Sequence, residues 1–320
     1  MVRLVRVHPT DDPGITRVRS RNGFRYVDPS GADIGATDRQ RIEQLVIPPG
    51  WQEVWVCTED CGHIQAVGVD DAGRRQYIYH PKWRERRDSR KFARALDLAG
   101  ALPHARRRAT TALRRDALDR ERVLAVAFKL LDEGAPRIGS ARYLERHGSR
   151  GLTTLQRRDA VVDGDTITLS FPAKSGQRAH IRIEDGDLAP AIAELAAGRA
   201  RSHLLSYRKG RRRTPLTPTD VNAHVRALTG GLFTAKDFRT LRGTILAAEA
   251  LARIGPVDTE RERKRAEALA VRATSEALGN TPAVARASYI DPRVFRRYER
   301  GDLLDLGVKP ESAIRRLILG

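Results

Sequence analysis

Near residue 90 the hydrophobic pattern of this chain changes its period. Before that point, short runs alternate with a period of two between turn residues. These are Gly23-Phe-Arg-Tyr-Val27 ahead of Pro29-Ser-Gly31, and Val54-Trp-Val-Cys57 after the rigid Ile47-Pro-Pro-Gly-Trp51. His63–Val69 follows, then Arg74–His80 behind the turn Asp70-Asp-Ala-Gly73. Pro81 ends the last of them. From Lys91 the spacing becomes helical, over Lys91–Leu98, Arg106–Leu118 and Glu121–Leu131, the last with Gly134 as its C-cap. The charged segment 82–90 marks the boundary. The expected architecture is α+β: a small, mainly-β domain over residues 1–90 and a larger, mainly-α domain over 91–320.

The second domain carries one small β element. Ala160–Phe171 forms a hairpin about Asp163-Gly-Asp165, and Pro172-Ala-Lys174-Ser-Gly176 turns the chain back into a strand at His180. Helices are expected at 189–198 and 219–229, the latter started by Thr217-Pro-Thr-Asp220, with a basic loop at Tyr207–Arg213 between them. Thr234 and Asp237 make a second capping box. It opens a helix that carries Lys236 and Arg239 on one face. Asp258–Leu278 is charged with helical spacing. Gly279 is a turn glycine, Thr281 an N-cap and Pro282 a first helical residue, so a short helix ends on Tyr289 before Pro292. A basic amphipathic segment, Val294–Tyr298, and a short tail follow.

Charge narrows the partner. The chain has 59 Lys and Arg against 40 Asp and Glu, a net charge of +19, spread through segments with folding patterns. Such an excess fits a polyanion, most simply nucleic acid. Arginine dominates it, and its planar fork matches phosphate oxygens in pairs. Cys57, Cys61 and His63 lie close in sequence, yet no second Cys/His pair stands at zinc spacing, so no metal is expected. No apolar run is long enough to span a bilayer, and the N-terminus has no signal-type apolar stretch, so a cytoplasmic protein is expected.

The chemistry centres on Tyr289. Tyrosines at helix ends are commonly half-buried packing residues, and the chain has seven tyrosines. In this cationic setting the second reading is attack by the phenol on a DNA phosphodiester. That reaction builds negative charge at phosphorus and calls for fixed cations and hydrogen-bond donors, with an acid for the departing 5′ oxygen. Arg137 and Arg239 supply the cations, Lys174 at its turn the acid, and Asn280 an amide donor. No carboxylate cluster of the Mg²⁺-binding kind and no nucleotide-binding glycine loop accompanies them, so no cofactor is expected. Two arginines in the first turns of the helix after Thr234 oppose the helix dipole, a placement that invites an anion. In the first domain, Gln76, Tyr77 and Tyr79 can either contact DNA or form a half-buried packing strand.

Taken in order, Arg137-Ile-Gly-x-x-x-Tyr143 with Gly151-Leu-Thr-Thr-Leu155, Ala173-Lys174, Lys236-Asp-Phe-Arg239-Thr, and Asn280-Thr-Pro-Ala-Val-x-x-x-Ser-Tyr289 resemble the boxes of type IB DNA topoisomerases. Ile47-Pro-Pro-x-Trp51 and Gly73-Arg-x-Gln76-Tyr77-x-Tyr79 are similar to the N-terminal domain of the short bacterial and viral-like branch. The resemblance implies a C-shaped clamp on double-stranded DNA, acting as a monomer at the nucleoid. One strand would be nicked through a 3′-phosphotyrosine, swivelled and resealed without ATP or metal. It implies Tyr289 as nucleophile, Lys174 as general acid, and Arg137, Arg239 and Asn280 at the phosphate. Gln76, Tyr77, Tyr79, Arg142, Tyr143 and Lys236 are then expected at the DNA. Asn280 departs from the histidine common in the family and cannot act as an acid. A tyrosine recombinase or integrase and a noncatalytic basic DNA-binding protein are the alternatives. Recombinases carry His-x-x-Arg where this chain has Lys236-Asp-Phe-Arg239, and their N-terminal domain is helical.

Overall fold

The computed structural model describes residues 3–21 and 23–320. The chain divides into two compact units, Met1–Arg90 and Lys91–Gly320. The first is built on a five-stranded antiparallel sheet of order β2-β1-β3-β4-β5, from β1 (Gly14–Ser20), β2 (Gly23–Val27), β3 (Gln52–Cys57), β4 (Ile64–Val69) and β5 (Arg75–Tyr79). One helix, α1 (Ala36–Gln44), lies between β2 and β3 in sequence, and its Ile42 joins Ile15, Val54, Val56 and Ala66 in the core of the unit. The turn pattern around it hid this helix, because its only buried residue is Ile42.

The Ile47–Trp51 segment is held by an arginine from the sheet. Arg17 donates to the carbonyls of Pro48 and Trp51 and lies 4.1 Å from the centre of the Phe24 ring. Pro48 O also accepts from Trp51 N at 3.1 Å, so the guanidinium adds a second donor to that turn and pins its far end at Trp51 O. A basic residue that charge alone would assign to a polyanion is here part of the scaffold.

The second unit is mainly helical. Helix α2 begins within the first unit at Pro81 and runs unbroken to Leu113, through Pro103, where two separate helices were expected. Pro103 removes one backbone bond and crowds the preceding turn. Burial on both sides of it, from Phe92, Leu96, Leu98 and Leu102 to Ala105, Ala109 and Leu113, holds the helix together. The charged 82–90 segment is therefore helical too. Next come α3 (Arg120–Gly134) and α4 (Ala141–His147), then a three-stranded antiparallel sheet, β6 (Ala160–Asp163), β7 (Thr166–Pro172) and β8 (Arg178–Glu184). Helix α5 (Leu188–Ala196) follows, then β9 (Ser206–Lys209) and β10 (Arg212–Pro215). The expected basic loop is thus an antiparallel hairpin with Gly210 in the left-handed region at its turn. The chain ends in α6 (Pro218–Thr229), α7 (Ala235–Ile254), α8 (Glu260–Leu278), α9 (Pro282–Ser288), α10 (Pro292–Glu299) and α11 (Pro310–Leu319). The last replaces the expected tail: Ala313, Ile314 and Ile318 are buried in the core.

Helix α3 is the hub, with ten consecutive buried residues from Arg122 to Leu131. Its end departs from expectation. Gly134 is the last helical residue, and Ala135 takes the left-handed cap at φ 44°. The glycine serves packing, since a Cβ there would stand 2.7 Å from Ile181 Cγ2 on β8. No helix among the described residues is long and apolar enough to cross a membrane.

Candidate active site

The site is assembled from helix ends. Helices α3 and α8 both terminate beside the first turns of α7, and each leaves C-terminal carbonyls without intrahelical partners. Arg239 on α7 is 5% exposed and donates to both: 2.7 Å to Ala135 O and 2.8 Å to Leu278 O. The expected clash of Arg239 with the α7 dipole is met by protein carbonyls, because the negative ends of two other helices face its guanidinium. Arg137, just beyond α3, donates 3.0 Å to Gly279 O and also to Asn280 Oδ1. The turn Leu278–Asn280 thus holds both arginines through main-chain oxygens, and Gly279 closes α8 in the left-handed conformation at φ 58°.

Tyr289 comes to the same place. Thr281 caps α9 by accepting from Val284 N, Pro282 takes the first helical position, and Tyr289 is the C-cap residue. At seven residues the helix is shorter than expected. The Arg239 guanidinium carbon sits 4.9 Å from the centre of the Tyr289 ring. Burial pushes the phenol up. Arg239, through its charge and hydrogen bonding, then Arg137 and Lys236 outweigh that and leave it below its ordinary value. Burial and then the Arg239 charge pull the Arg137 guanidinium down. Asn280 Nδ2 is buried and has no hydrogen-bond partner among the described residues, so an amide donor stands ready beside the two cations.

Lys174 lies in a short 3-10 turn between β7 and β8 and is exposed. Among the described residues its amine has no hydrogen bond or ion pair, so its turn, not a side-chain contact, relates it to the other four. A run of hydrogen bonds to main-chain carbonyls makes that link. Leu152 N donates to Arg137 O at 2.8 Å, Arg150 N to Pro172 O at 2.7 Å, and Ser149 Oγ to Ala173 O at 3.1 Å. Gly139 and Gly151 allow the close approach in the middle: a Cβ on Gly151 would lie 2.5 Å from Arg137 O. These glycines, which the sequence offered as places for a phosphate to approach, bring two chain segments together.

The expected DNA contacts divide into two groups. Lys236 and Arg142 are exposed, and Tyr143, 41% exposed, pairs its ring with His147 at 5.1 Å. In the first unit Tyr77 and Tyr79 stack at 5.9 Å on the edge strand β5, with Arg87 5.1 Å from the Tyr79 ring. Gln76 is turned to Asp70 and donates to it at 2.8 Å. Hydrogen bonds from Arg74 and Gln76 hold the Asp70 carboxyl at about 2.

Two residues beside Arg239 drew no functional reading from the sequence. Gly243 has Tyr289 against its Cα, and the Thr244 hydroxyl lies 3.2 Å from Tyr289 O and 3.1 Å from Asp291 N. The signal was present, since a glycine inside a helical pattern calls for a packing reason. Arg242, one residue earlier, lies close enough to Glu311 to help lower its carboxyl, so it belongs to a structural charge cluster.

Comparison with known proteins identifies the family. The family described as eukaryotic DNA topoisomerase I, catalytic core, matches residues 80–300, and that described as bacterial DNA topoisomerase IB, N-terminal domain, matches residues 23–70. A curated relative, DNA topoisomerase 1B of Acanthamoeba polyphaga mimivirus, is 26% identical over 325 residues, covering 96% of this chain and 97% of its own length. The family match takes in both arginines, the lysine turn, Asn280 and Tyr289, and the chain belongs to the type IB DNA topoisomerases.

Proposed function

We propose that this enzyme relaxes supercoiled duplex DNA through a 3′-phosphotyrosyl intermediate on Tyr289. The observation that carries the reading is the packing of Tyr289 under Arg239, with Arg137 and the unpartnered Asn280 amide at the same helix turn. The phenol oxygen attacks the scissile phosphorus and its proton leaves to solvent. The bond from phosphorus to the 5′ oxygen breaks, and Lys174 gives that oxygen a proton. Arg137 and Arg239 hold the non-bridging oxygens as charge builds there, and Asn280 Nδ2 donates a further hydrogen bond. The free 5′-OH strand swivels. In the return step the 5′-OH attacks phosphorus, Lys174 takes its proton back, and the phenolate leaves. The phosphotyrosine conserves the phosphodiester linkage, so the cycle consumes no nucleotide. Exposed Lys236, Arg142 and Tyr143, with Tyr77 and Tyr79 of the first unit, are assigned to duplex contacts, and the enzyme acts as a monomer.

The test is relaxation of supercoiled plasmid with EDTA and without ATP, with detergent-stopped samples checked for protein on the 3′ end. Tyr289→Phe should abolish the covalent adduct and leave DNA affinity near the parental value. An adduct that persists in Tyr289→Phe would remove the nucleophile. A parental adduct without relaxation would indicate strand exchange instead.

A further inference from the structure

We propose that Gly243 and Thr244 form a seat on α7 that sets the register of Tyr289 against Arg239, and that they are positioning residues for strand cleavage. This rests on Tyr289 being the nucleophile. Tyr289 is the C-cap of a seven-residue helix: its N–H still bonds Ala285 O, but at φ −127° and ψ −12° it has left helical geometry, so α9 alone does not fix its direction. Helix α7 does. A Cβ on Gly243 would stand 2.7 Å from Tyr289 O and 2.9 Å from Tyr289 Cβ, contacts that neither atom can yield without moving the tyrosine main chain. Alanine is the better helix former, so the local preference runs against this glycine, and the close approach explains it.

Thr244 completes the seat. Its buried hydroxyl donates to Thr240 O at 2.8 Å, lies 3.2 Å from Tyr289 O, and accepts from Asp291 N at 3.1 Å. The hydroxyl therefore ties the chain after Ile290 through Asp291 N, and its single proton lies within reach of Tyr289 O before Ile290, which is fully buried. Gly243 lies one helical turn after Arg239. A single rigid element thus presents the cation and grips the nucleophile's backbone, and neither can shift without the other.

The readout is single-turnover cleavage at saturating enzyme, with DNA affinity and melting temperature measured beside it. Because an ångström of misplacement costs on the order of 10²-fold in rate, Gly243→Ala should slow cleavage by about that factor, and Thr244→Val by about 10-fold. DNA affinity should stay near parental and melting temperature should fall by only a few degrees, the cost of crowding or of an unpaired Asp291 N–H, and Thr244→Ser, which keeps the hydroxyl, should recover cleavage to within about threefold. In an Arg239→Ala background Gly243→Ala should add little, because the register it protects no longer has a cation to meet. Parental cleavage in both Gly243→Ala and Thr244→Val overturns the seat. So does a loss of cleavage that tracks melting temperature and is not recovered by Thr244→Ser, or full additivity with Arg239→Ala. Tyr289→Phe run in parallel separates the two ideas: an adduct there sinks the nucleophile reading, whereas its loss there beside unimpaired Gly243→Ala and Thr244→Val sinks only the seat.

Discussion

Two regions of the second unit hold a half-buried or buried arginine in opposite ways. Arg106 on α2 is clasped by carboxylates: it donates 2.7 and 3.0 Å to Asp132 and also bonds Glu311. Burial pulls its guanidinium down, but the two carboxylates more than reverse that. Arg239 on α7 has no carboxylate partner among the described residues and is held by carbonyls, at Ala135 and Leu278. A carboxylate orients a guanidinium and cancels its charge. A carbonyl orients it and leaves the charge to act on whatever comes next. The first arrangement makes a structural joint between α2, α3 and α11. The second leaves a fixed cation aimed at Tyr289 and, on the function proposed here, at a phosphate.

The sharpest way to break the contrast is to remove each arginine. Arg239→Ala or Arg137→Ala should lower single-turnover cleavage by at least 10²–10³-fold, the loss typical of one transition-state donor, with DNA affinity changed far less. Arg106→Met should leave the cleavage rate of folded enzyme near parental. It should destabilise the fold by about 3 kcal/mol, at the low end for a broken buried pair because the Arg106 side chain is 30% exposed while Asp132 is left at 1%. Urea unfolding followed by circular dichroism measures the second effect. Equal losses of cleavage in the two variants, without unfolding, would mean that carbonyl and carboxylate holding do not differ in function.

Much of this was legible in the chain. The order of the boxes, the Thr281-Pro282 cap, the capping boxes of α6 and α7 and the hairpin that carries Lys174 are local signals, written within a few residues. What stayed hidden depends on partners far away in sequence. Nothing around Pro103 shows that α2 continues, because core packing on both sides holds it. Gly134 looked like a cap, and only Ile181 on β8 reveals it as a packing glycine. The partners of Arg239 are main-chain oxygens at 135 and 278, which no side-chain pattern announces. Arg17 and Arg106 show the converse. Composition offers every arginine to the polyanion, and only coordinates remove the ones the fold has already used.

The field of the uncancelled cations should appear in the pH dependence of cleavage. Tyr289 lies below its ordinary 10.0, with burial opposed by Arg239, Arg137 and Lys236. The attacking form is the phenolate, so a lowered value moves the rise in rate to lower pH. Single-turnover cleavage should therefore climb with a midpoint below 10, and Arg239→Ala should move that midpoint upward. A parental midpoint at or above 10, once DNA binding is saturated, would show that the bound phosphate cancels the arginines. The carboxylate-held region gives a stability signal instead. Burial raises Glu311, and the hydrogen bond and charge of Arg106 more than offset it, so its folded value lies below 4.5. That contribution is present above pH 4.5 and is lost as pH falls through the lower, folded value. Glu311→Gln should flatten the acid limb of the stability curve without moving the cleavage midpoint.

The smallest effect belongs to basic side chains that no ion pair holds among the described residues. Arg208, Lys209, Arg211, Arg212 and Arg213 sit on the β9–β10 hairpin, all exposed, and none has an ion-pair partner among the described residues. The Arg213 charge reaches back to Arg157 and, after burial, helps pull that guanidinium down. The hairpin base lies near the start of α3, where Tyr207 interacts with Arg120, whereas Arg239 bonds the carbonyl just past the end of α3. Fifteen residues of helix at about 1.5 Å each set the two about 20 Å apart. Charges that far from the reacting phosphate can add affinity but not transition-state stabilisation, since a Debye length at physiological salt is about 8 Å. Replacing the five with Gln should therefore leave saturated cleavage unchanged. The slope of log affinity against log salt should shrink by about 0.9 for each phosphate contact removed. If the slope stays at its parental value, the hairpin is a solvated surface; if cleavage at saturation falls with it, the distance argument along α3 fails.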